Sequence, residues 1–332
     1  MSLFSKKRFA AALLVGAALI GLTACTGQEP TAESQESSED ALKLNVQYSI
    51  FSGPLNRAAA ANIQPEGVEV TYVNSATGTV NTGQGLVTGA WDLAQWGDIG
   101  PVTGFANGAD LRVIGSTDSN GAAHIILVGP DSTAETIADL KGGTVYAGKL
   151  TNAYVQFLRE VEKHGLSESD FTVVESISDP ASALIAGELD AFISIEPQAS
   201  HLIETKGLRE LSNGEGLIDN FYTLNTTQQI LDDPDKHRAI ELFLAALREH
   251  FDAAEANAEQ EAEDLAALNG VSVAAAAAGL PKVSNTFIPI DDAYIARTRL
   301  LVDFFVGTGA FTEFPEGFEE IYVSDFNGIL AD

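Results

Sequence analysis

Two acids, Asp98 and Glu196, close stretches of chain that share an outline, GLVTGAWDLAQWGDIGP (Gly85 to Pro101) and ALIAGELDAFISIEP (Ala183 to Pro197). Each runs from an aliphatic helix end through a Gly, an Asp and a short apolar run to an acid and a Pro. Carboxylates placed in this way can receive an amino or amidine group of a small ligand. Asp98 can equally cap a following helix, and Glu196 can pair with a Lys or Arg from another part of the fold. Trp96 can lay its ring over the apolar or planar part of a ligand, with Phe51 opposite, whereas Trp91 reads as packing. Alternation puts Trp91, Leu93 and Gln95 on one face of a strand and Asp92, Ala94 and Trp96 on the other. A third feature is the loop Gly148 to Asn152. Thr151 or Asn152 can cap the helix that follows, and the free N–H groups of its first turn favour an anion such as a sulfonate or carboxylate. Lys149 would add a positive charge there; the plainer alternative is a well-capped helix start.

Other chemistries find less support. The histidines, His124, His164, His201, His237 and His250, have no metal-ligand spacing and are expected at the surface or at helix ends. No Gly-rich phosphate loop precedes a Lys-Ser or Lys-Thr, so the chain does not read as an ATPase. No metal or cofactor is expected. The only cysteine is Cys25, which removes a disulfide framework. With 47 acidic residues against 18 Lys and Arg, the formal net charge of −29 disfavours nucleic acid. It still permits a small anion, because dipoles inside a cleft act at shorter range than a screened surface field.

The N-terminal segment reads as an export signal. Lys6, Lys7 and Arg8 precede an apolar run from Phe9 to Leu22 that is short for a membrane span. Leu22-Thr23-Ala24-Cys25 then resembles the lipobox of bacterial lipoproteins, which implies cleavage after residue 24 and a membrane anchor through lipidated Cys25. Residues 25–41 are rich in Glu, Ser and Gln and read as a disordered linker. The folded part would then be held at the extracytoplasmic face of the cell membrane.

About 290 residues remain, enough for two cores. Strands are expected at Leu42–Ile50, Val68–Val73, Trp91–Gln95 and Leu111–Ser116, alternating with helices, the second at Thr77–Val87. A similar series follows: strands at Ala123–Val128, Thr144–Ala147, Phe171–Glu175 and Ala191–Ile195, helices at Ala134–Leu140, Asn152–His164 and Ala181–Ala186. Phe221–Asn225 reads as a return crossing, and helices dominate thereafter. The expected fold class is α/β, a type II periplasmic-binding-protein fold with two α/β lobes joined by a hinge of two crossings. The lobes are assigned to residues 42–118 with 226–332 and to residues 119–225, and two independent tandem domains are the alternative.

Several phrases, in this order, resemble one family. DLKGGTVYAGKLTNAYVQFL (Asp139 to Leu158), the GELDAFISIEP strand, GADLRVIG (Gly108 to Gly115) and LLVDFFVGTGAF (Leu301 to Phe311) are similar to passages of solute-binding proteins of ATP-driven importers. That family takes up nitrate, taurine, aliphatic sulfonates and thiamine-pyrimidine precursors. The resemblance implies a binding protein, not an enzyme, that captures a small polar or anionic solute by lobe closure. It implies an ABC permease and its ATPase as partners, and a monomer is expected. An enzyme on the same scaffold, desulfinase-like or acting on pyrimidine precursors, is the alternative, although no cysteine remains beyond Cys25 as nucleophile. Ligands of such sheets sit beyond the carboxyl ends of the strands. That rule nominates Phe51, Ser52, Gly53, Thr77, Trp96, Gly97 and Asp98 from the first series, Lys149, Thr151, Asn152 and Glu196 from the second, and Asn120 in the hinge.

Overall fold

A computed structural model of the chain describes residues 41–50, 53–74, 78–254, 256–284 and 286–331. Cys25 and the linker, Phe51, Ser52 and Thr77 lie outside the described residues.

Alternation in LKLNVQY buries Leu44 and Val46 and makes β1, Leu42–Tyr48. It is followed by α1 (Pro54–Ala60), β2 (Val68–Asn74), α2 (Gly78–Val87), β3 (Leu93–Gly97), α3 (Ile99–Ala106) and β4 (Leu111–Asp118). The second series comprises β5 (His124–Val128), β6 (Thr144–Tyr146), α4 (Asn152–Lys163), β7 (Thr172–Val174), α5 (Pro180–Ile185), β8 (Ala191–Ile195), α6 (Gln198–Lys206) and β9 (Arg209–Asn213). Then come β10 (Phe221–Thr227), α7 (Gln228–Leu231), α8 (Pro234–Asp252), α9 (Ala258–Asn269), α10 (Val273–Gly279), α11 (Asp292–Gly307) and α12 (Asn327–Leu330). The helix expected over Ala134–Leu140 is only a 3-10 turn, Ile137–Leu140, fixed by a Thr136–Asp139 capping box and ended before Gly142 and Gly143. α6 is not among the expected elements.

The strands form two five-stranded sheets, ordered β2-β1-β3-β10-β4 and β7-β6-β8-β5-β9. The two orders follow one plan, and in each the fourth position is an antiparallel insertion, β10 in one and β5 in the other. Phe221–Asn225, expected as a return crossing, brings the chain back into the first sheet as a central strand. It lies in β10, between β3 and β4, where Thr223 Oγ1 donates to the Trp96 carbonyl at 3.1 Å and Thr226 Oγ1 to that of Asp92 at 2.8 Å. The chain passes between sheets at residues 119–123 and 214–220.

α8 covers the first sheet with Ile240, Phe243, Leu244 and Leu247, whose spacing makes one apolar stripe. α4 presents Tyr154, Phe157 and Val161 to the second sheet in the same way. A single cluster then joins residues of both series, including Val102, Val113, Ile126 and Ile193, to Val302 and Phe305 of α11.

The crossings touch through backbone. Gly121 has φ +72°, and a Cβ there would overlap the Gly214 carbonyl, whereas Gly67, at φ +78°, has open space. Gly67→Ala should cost about 1 to 2 kcal/mol from its backbone conformation alone. Gly121→Ala should cost clearly more, as read from urea unfolding midpoints of the two variants.

Candidate ligand cleft

The doubled phrase occupies equivalent places in the two sheets. A Gly with positive φ stands three residues before an Asp, Gly89 before Asp92 and Gly187 before Asp190. Asp92 exchanges backbone and side-chain hydrogen bonds with Asn45 of β1, at 2.8 and 2.7 Å. Asp190 does the same with Thr144 of β6, at 2.8 and 2.7 Å. Each Asp thus sets the register of the third strand of its sheet, and each of those strands, β3 and β8, is followed directly by the acid, Asp98 or Glu196.

Beyond these strand ends lies a cavity of about 790 Å³. From the first series it is lined by Gln47, Ser49, Ile50, Gln95, Trp96, Gly97 and Asp98. The second series contributes Tyr146 to Ala153 apart from Lys149, Ser178 to Ser182, Phe192 to Ile195, and Gln198. His124, Asn220 and Tyr222 close it near the crossings. Apolar walls, among them Tyr146, Phe192, Ile193 and Leu202, meet a polar floor. In that floor Asn152 donates to Asn220 Oδ1 at 2.8 Å and Asn220 donates to Ser119 Oγ at 2.8 Å.

Six lining side chains carry a buried polar atom with no hydrogen-bond partner: Gln47 Oε1, Trp96 Nε1, Asp98 Oδ2, His124 Nδ1, Asn152 Oδ1 and Tyr222 Oη. Buried polar atoms are rarely left unpaired, so their concentration around one cavity marks a surface built for a polar ligand. Burial holds the His124 imidazole down to about 4 and pushes the Tyr222 phenol up to about 12, so both are neutral over a wide pH range. Burial also pushes the Asp98 carboxyl up to about 7, against the Asn152 side chain and the Ile99 and Phe221 N–H groups. α4 begins at the cavity: Thr151 accepts from the Tyr154 N–H at 3.3 Å and donates to the Gly148 carbonyl at 2.6 Å. Leu150, before it, is held at φ +57°, unusual for a branched residue and typical of functional loops. The only Lys or Arg among the described lining residues is exposed Lys206. Among the unpaired atoms Trp96 Nε1 and Tyr222 Oη can donate, while Gln47 Oε1 and Asn152 Oδ1 only accept, so the floor can hold an anion through those two donors and a helix N-terminus, and the walls can hold an apolar tail.

The nominated residues divide. Trp96, Gly97, Asp98, Thr151 and Asn152 come together at the cavity. Trp96 also packs into a local core, where a Cβ on Gly83 would lie 2.8 Å from its ring and one on Gly100 would overlap it. Trp91 stands ahead of β3, half-buried, donating to the Thr82 carbonyl at 3.1 Å. Four nominated residues sit elsewhere. Gly53 is the N-cap of α1, packed against Gln95, and Asn120 is exposed at the crossing with φ +49°. Lys149 turns to solvent and pairs with Glu175 at 2.7 Å. Glu196 is fully buried away from the cavity, accepting from Ser200 N and Oγ at 3.0 Å each and from Lys282 at 2.6 Å. His124 is a correction of another kind: it is 3% exposed and faces the cavity, not the surface, because β5 is buried along its whole length. Gln47, Asn220 and Tyr222 were not nominated, since polar residues inside apolar strands carry no spacing signal. Only the inserted position of β10 brings Asn220 and Tyr222 to the floor.

The cavity between two sheets of like topology defines the class, a two-sheet binding-protein fold, and solved structures of this shape agree. The alkanesulfonate-binding protein SsuA from Xanthomonas axonopodis pv. citri, bound to MOPS, matches with a TM-score of 0.71 at 25% identity, covering 81% of this chain and 93% of that one. The periplasmic aliphatic sulphonate binding protein SsuA from Escherichia coli matches with a TM-score of 0.72 at 22% identity, covering 88% and 92%. The fold also carries a desulfurization enzyme, with a TM-score of 0.62 at 18% identity over 86% of this chain and 97% of the enzyme. The NMT1/THI5-like family model matches residues 64–261, more than half of the sequence, and the chain belongs to that family. A protein of Escherichia coli (strain K12) named as an aliphatic sulfonates-binding protein is 30% identical over 193 residues, 56% of this chain. One of the same name from Bacillus subtilis (strain 168) is 28% identical over 198 residues, 58% of this chain. The chain spans 59% of the length of each of these curated relatives in the match.

Lys282 is 28% exposed and its partner Glu196 not at all, so removing the ammonium strands a buried carboxylate. Lys282→Met should cost about 3 kcal/mol in urea unfolding, and adding Glu196→Gln should restore a large part of it.

Proposed function

We propose that this chain is the extracytoplasmic solute-binding component of an ABC importer and that its solute is an aliphatic sulfonate. The observation that carries the reading is the cavity in which two unpaired donors, Trp96 Nε1 and Tyr222 Oη, and the start of α4 meet apolar walls, a match for an anionic head with an alkyl tail. The names of the relatives favour a sulfonate over nitrate, which has no tail to place. Binding would draw the two sheets together across the solute, favouring a closed form by differential affinity, and that form would engage a permease and its ATPase. The lipobox-like Leu22 to Cys25 supports anchoring at the membrane through Cys25, with residues 25–41 as the linker. Residues 42–118 with 226–332 and residues 119–225 are the two lobes in this reading, with β10 returning to the first sheet. A desulfinase-like activity is the rival class, and release of sulfite from an aryl sulfinate by the purified protein would establish it instead.

A thermal and calorimetric screen of the soluble domain against butanesulfonate, taurine, nitrate and an aminopyrimidine decides the solute. The sulfonate, at a hundred times its dissociation constant, should stabilise by about 2.7 kcal/mol. Binding should change tryptophan fluorescence, and Trp96→Phe should remove most of that change while Trp91→Phe leaves it. Stabilisation by nitrate or the aminopyrimidine alone would overturn the sulfonate assignment.

A further inference from the structure

Asp98 and Glu196 stand at equivalent points of the two sheets, yet their charges are handled oppositely. Glu196 is neutralised by Lys282 and by Ser200. Asp98 is 1% exposed, gives Oδ1 to the Ile99 N–H at 2.9 Å, and leaves Oδ2 without a partner beside the cleft floor. On its other side a smaller cavity of about 220 Å³ is lined by Asp98, Arg159, Asp219 and Arg297. Those arginines are engaged elsewhere. Arg297 donates to Asp118 at 2.7 Å and to Asp219 at 2.6 Å, and Arg159 donates to the Leu217 carbonyl and lies over Phe304. The remaining titratable groups facing Asp98 are Asp219, Tyr222, Tyr294 and Tyr322, with His124 across the cleft. α2 and β3, also packed against α3, carry no charged residue. An ionised Asp98 would thus be a buried anion without a cation of its own, next to the place where the proposed ligand puts its negative head.

We propose that Asp98 is a specificity-determining residue that holds a proton whenever an organic anion occupies the cleft, so that capture of the anion takes up a proton from solvent. In the neutral form its carboxyl O–H can donate to the anion through Oδ2, and no like charge opposes binding. Burial already places the free carboxyl near neutrality, and a bound anion raises it further. The sign follows: affinity is full where Asp98 is protonated and falls as pH rises through about 7 and beyond. Deprotonation of Asp98 would favour release without any change of fold. The His124 imidazole, held down to about 4, cannot give this dependence near neutrality.

This rests on the reading of the cleft as an organic-anion site, and the test separates the two. Butanesulfonate, whose own charge is fixed, is titrated calorimetrically into the soluble domain in buffers of different ionisation enthalpy. Its dissociation constant should rise about tenfold or more between about pH 6 and about pH 8.5, with proton uptake in the wild type. Asp98→Asn, which keeps the helix cap and stays neutral, should flatten the profile and abolish the uptake; His124→Gln, whatever it does to the affinity itself, should keep the slope with pH and the uptake. Binding by the wild type that is independent of pH, or a dependence abolished by His124→Gln and kept by Asp98→Asn, would overturn the proposal. Without ligand, the folded carboxyl titrates above its unfolded value. The wild type should therefore lose stability relative to Asp98→Asn as pH rises from about 4 to about 7, then run parallel to it. Equal pH profiles of the two ligand-free proteins would also overturn the assignment. Should that difference be present but butanesulfonate fail to bind at any pH, the solute reading falls, and the linkage with it, while the buried proton stands.

Discussion

The two crossings are tied to one another before they are tied to anything else, and the cleft depends on that tie. β4 enters the first crossing hydrogen-bonded to β10, which leaves the second, and the Ser119 N–H donates to the Asn220 carbonyl at 3.1 Å. Gly121 lies against the Gly214 carbonyl, and Arg297 spans Asp118 and Asp219, one from each crossing. A pair of strands coupled in this way can bend as a unit but cannot slide, because sliding would break the ladder with β3 as well. Asn220 stands inside this clasp and reaches from Ser119 to Asn152 at the start of α4. The floor of the cleft is therefore assembled from the crossing itself, which couples its geometry to the relation between the two sheets.

Duplication of one plan explains the architecture, and divergence within it sets the chemistry. Asp92 and Asp190 perform the same structural task, each fixing the third strand of its sheet to the second. The acids after those strands have parted. Glu196 accepts Lys282, which arrives after α10 and joins the C-terminal segment to the second series. The same helix approaches so closely that a Cβ on Gly279 would lie 3.1 Å from Glu196 Cβ. A buried ion pair adds less to stability than to uniqueness, since few alternative packings satisfy both charges. Asp98 was left without such a partner, and it lines the cleft.

Much of the fold was legible because it rests on periodicity and punctuation. The alternation of LKLNVQY, the helix stops at Gly89 and Gly187 and the N-cap at Thr151 are local signals, and each element appears close to its expected place. Phe221–Asn225 was legible as a return crossing but not as a central strand, because its apolar and polar residues read the same in both. Only pairing with both β3 and β4 distinguishes them. Within the cleft, the helix start and the strand ends were visible, as Trp96, Asp98, Thr151 and Asn152 show. Lys149 and Glu196 were drawn elsewhere by Glu175 and Lys282, partners far along the chain that no local spacing announces. His124, Asn220 and Tyr222 were missed for the converse reason: a buried polar residue in an apolar strand is indistinguishable from a solvated one until the third dimension is known.

A chain with a formal charge of −29 that is suited to an anion must solve an electrostatic problem, and the cleft solves it locally. At physiological ionic strength a surface charge is largely screened beyond about 8 Å, so the exposed acids do little at the floor. What matters there is the balance of nearby groups, and fixed neutral donors do not have to be desolvated as a Lys would. A buried lysine would hold an anion more tightly, but it would also need its own counter-charge in the absence of ligand. Neutral donors with a helix N-terminus avoid that cost. In such a site one ionisable carboxyl has unusual leverage, because the arginines nearest it, Arg159 and Arg297, are engaged by other partners. On the reading proposed above, that is what would give Asp98 its influence over what the cleft holds.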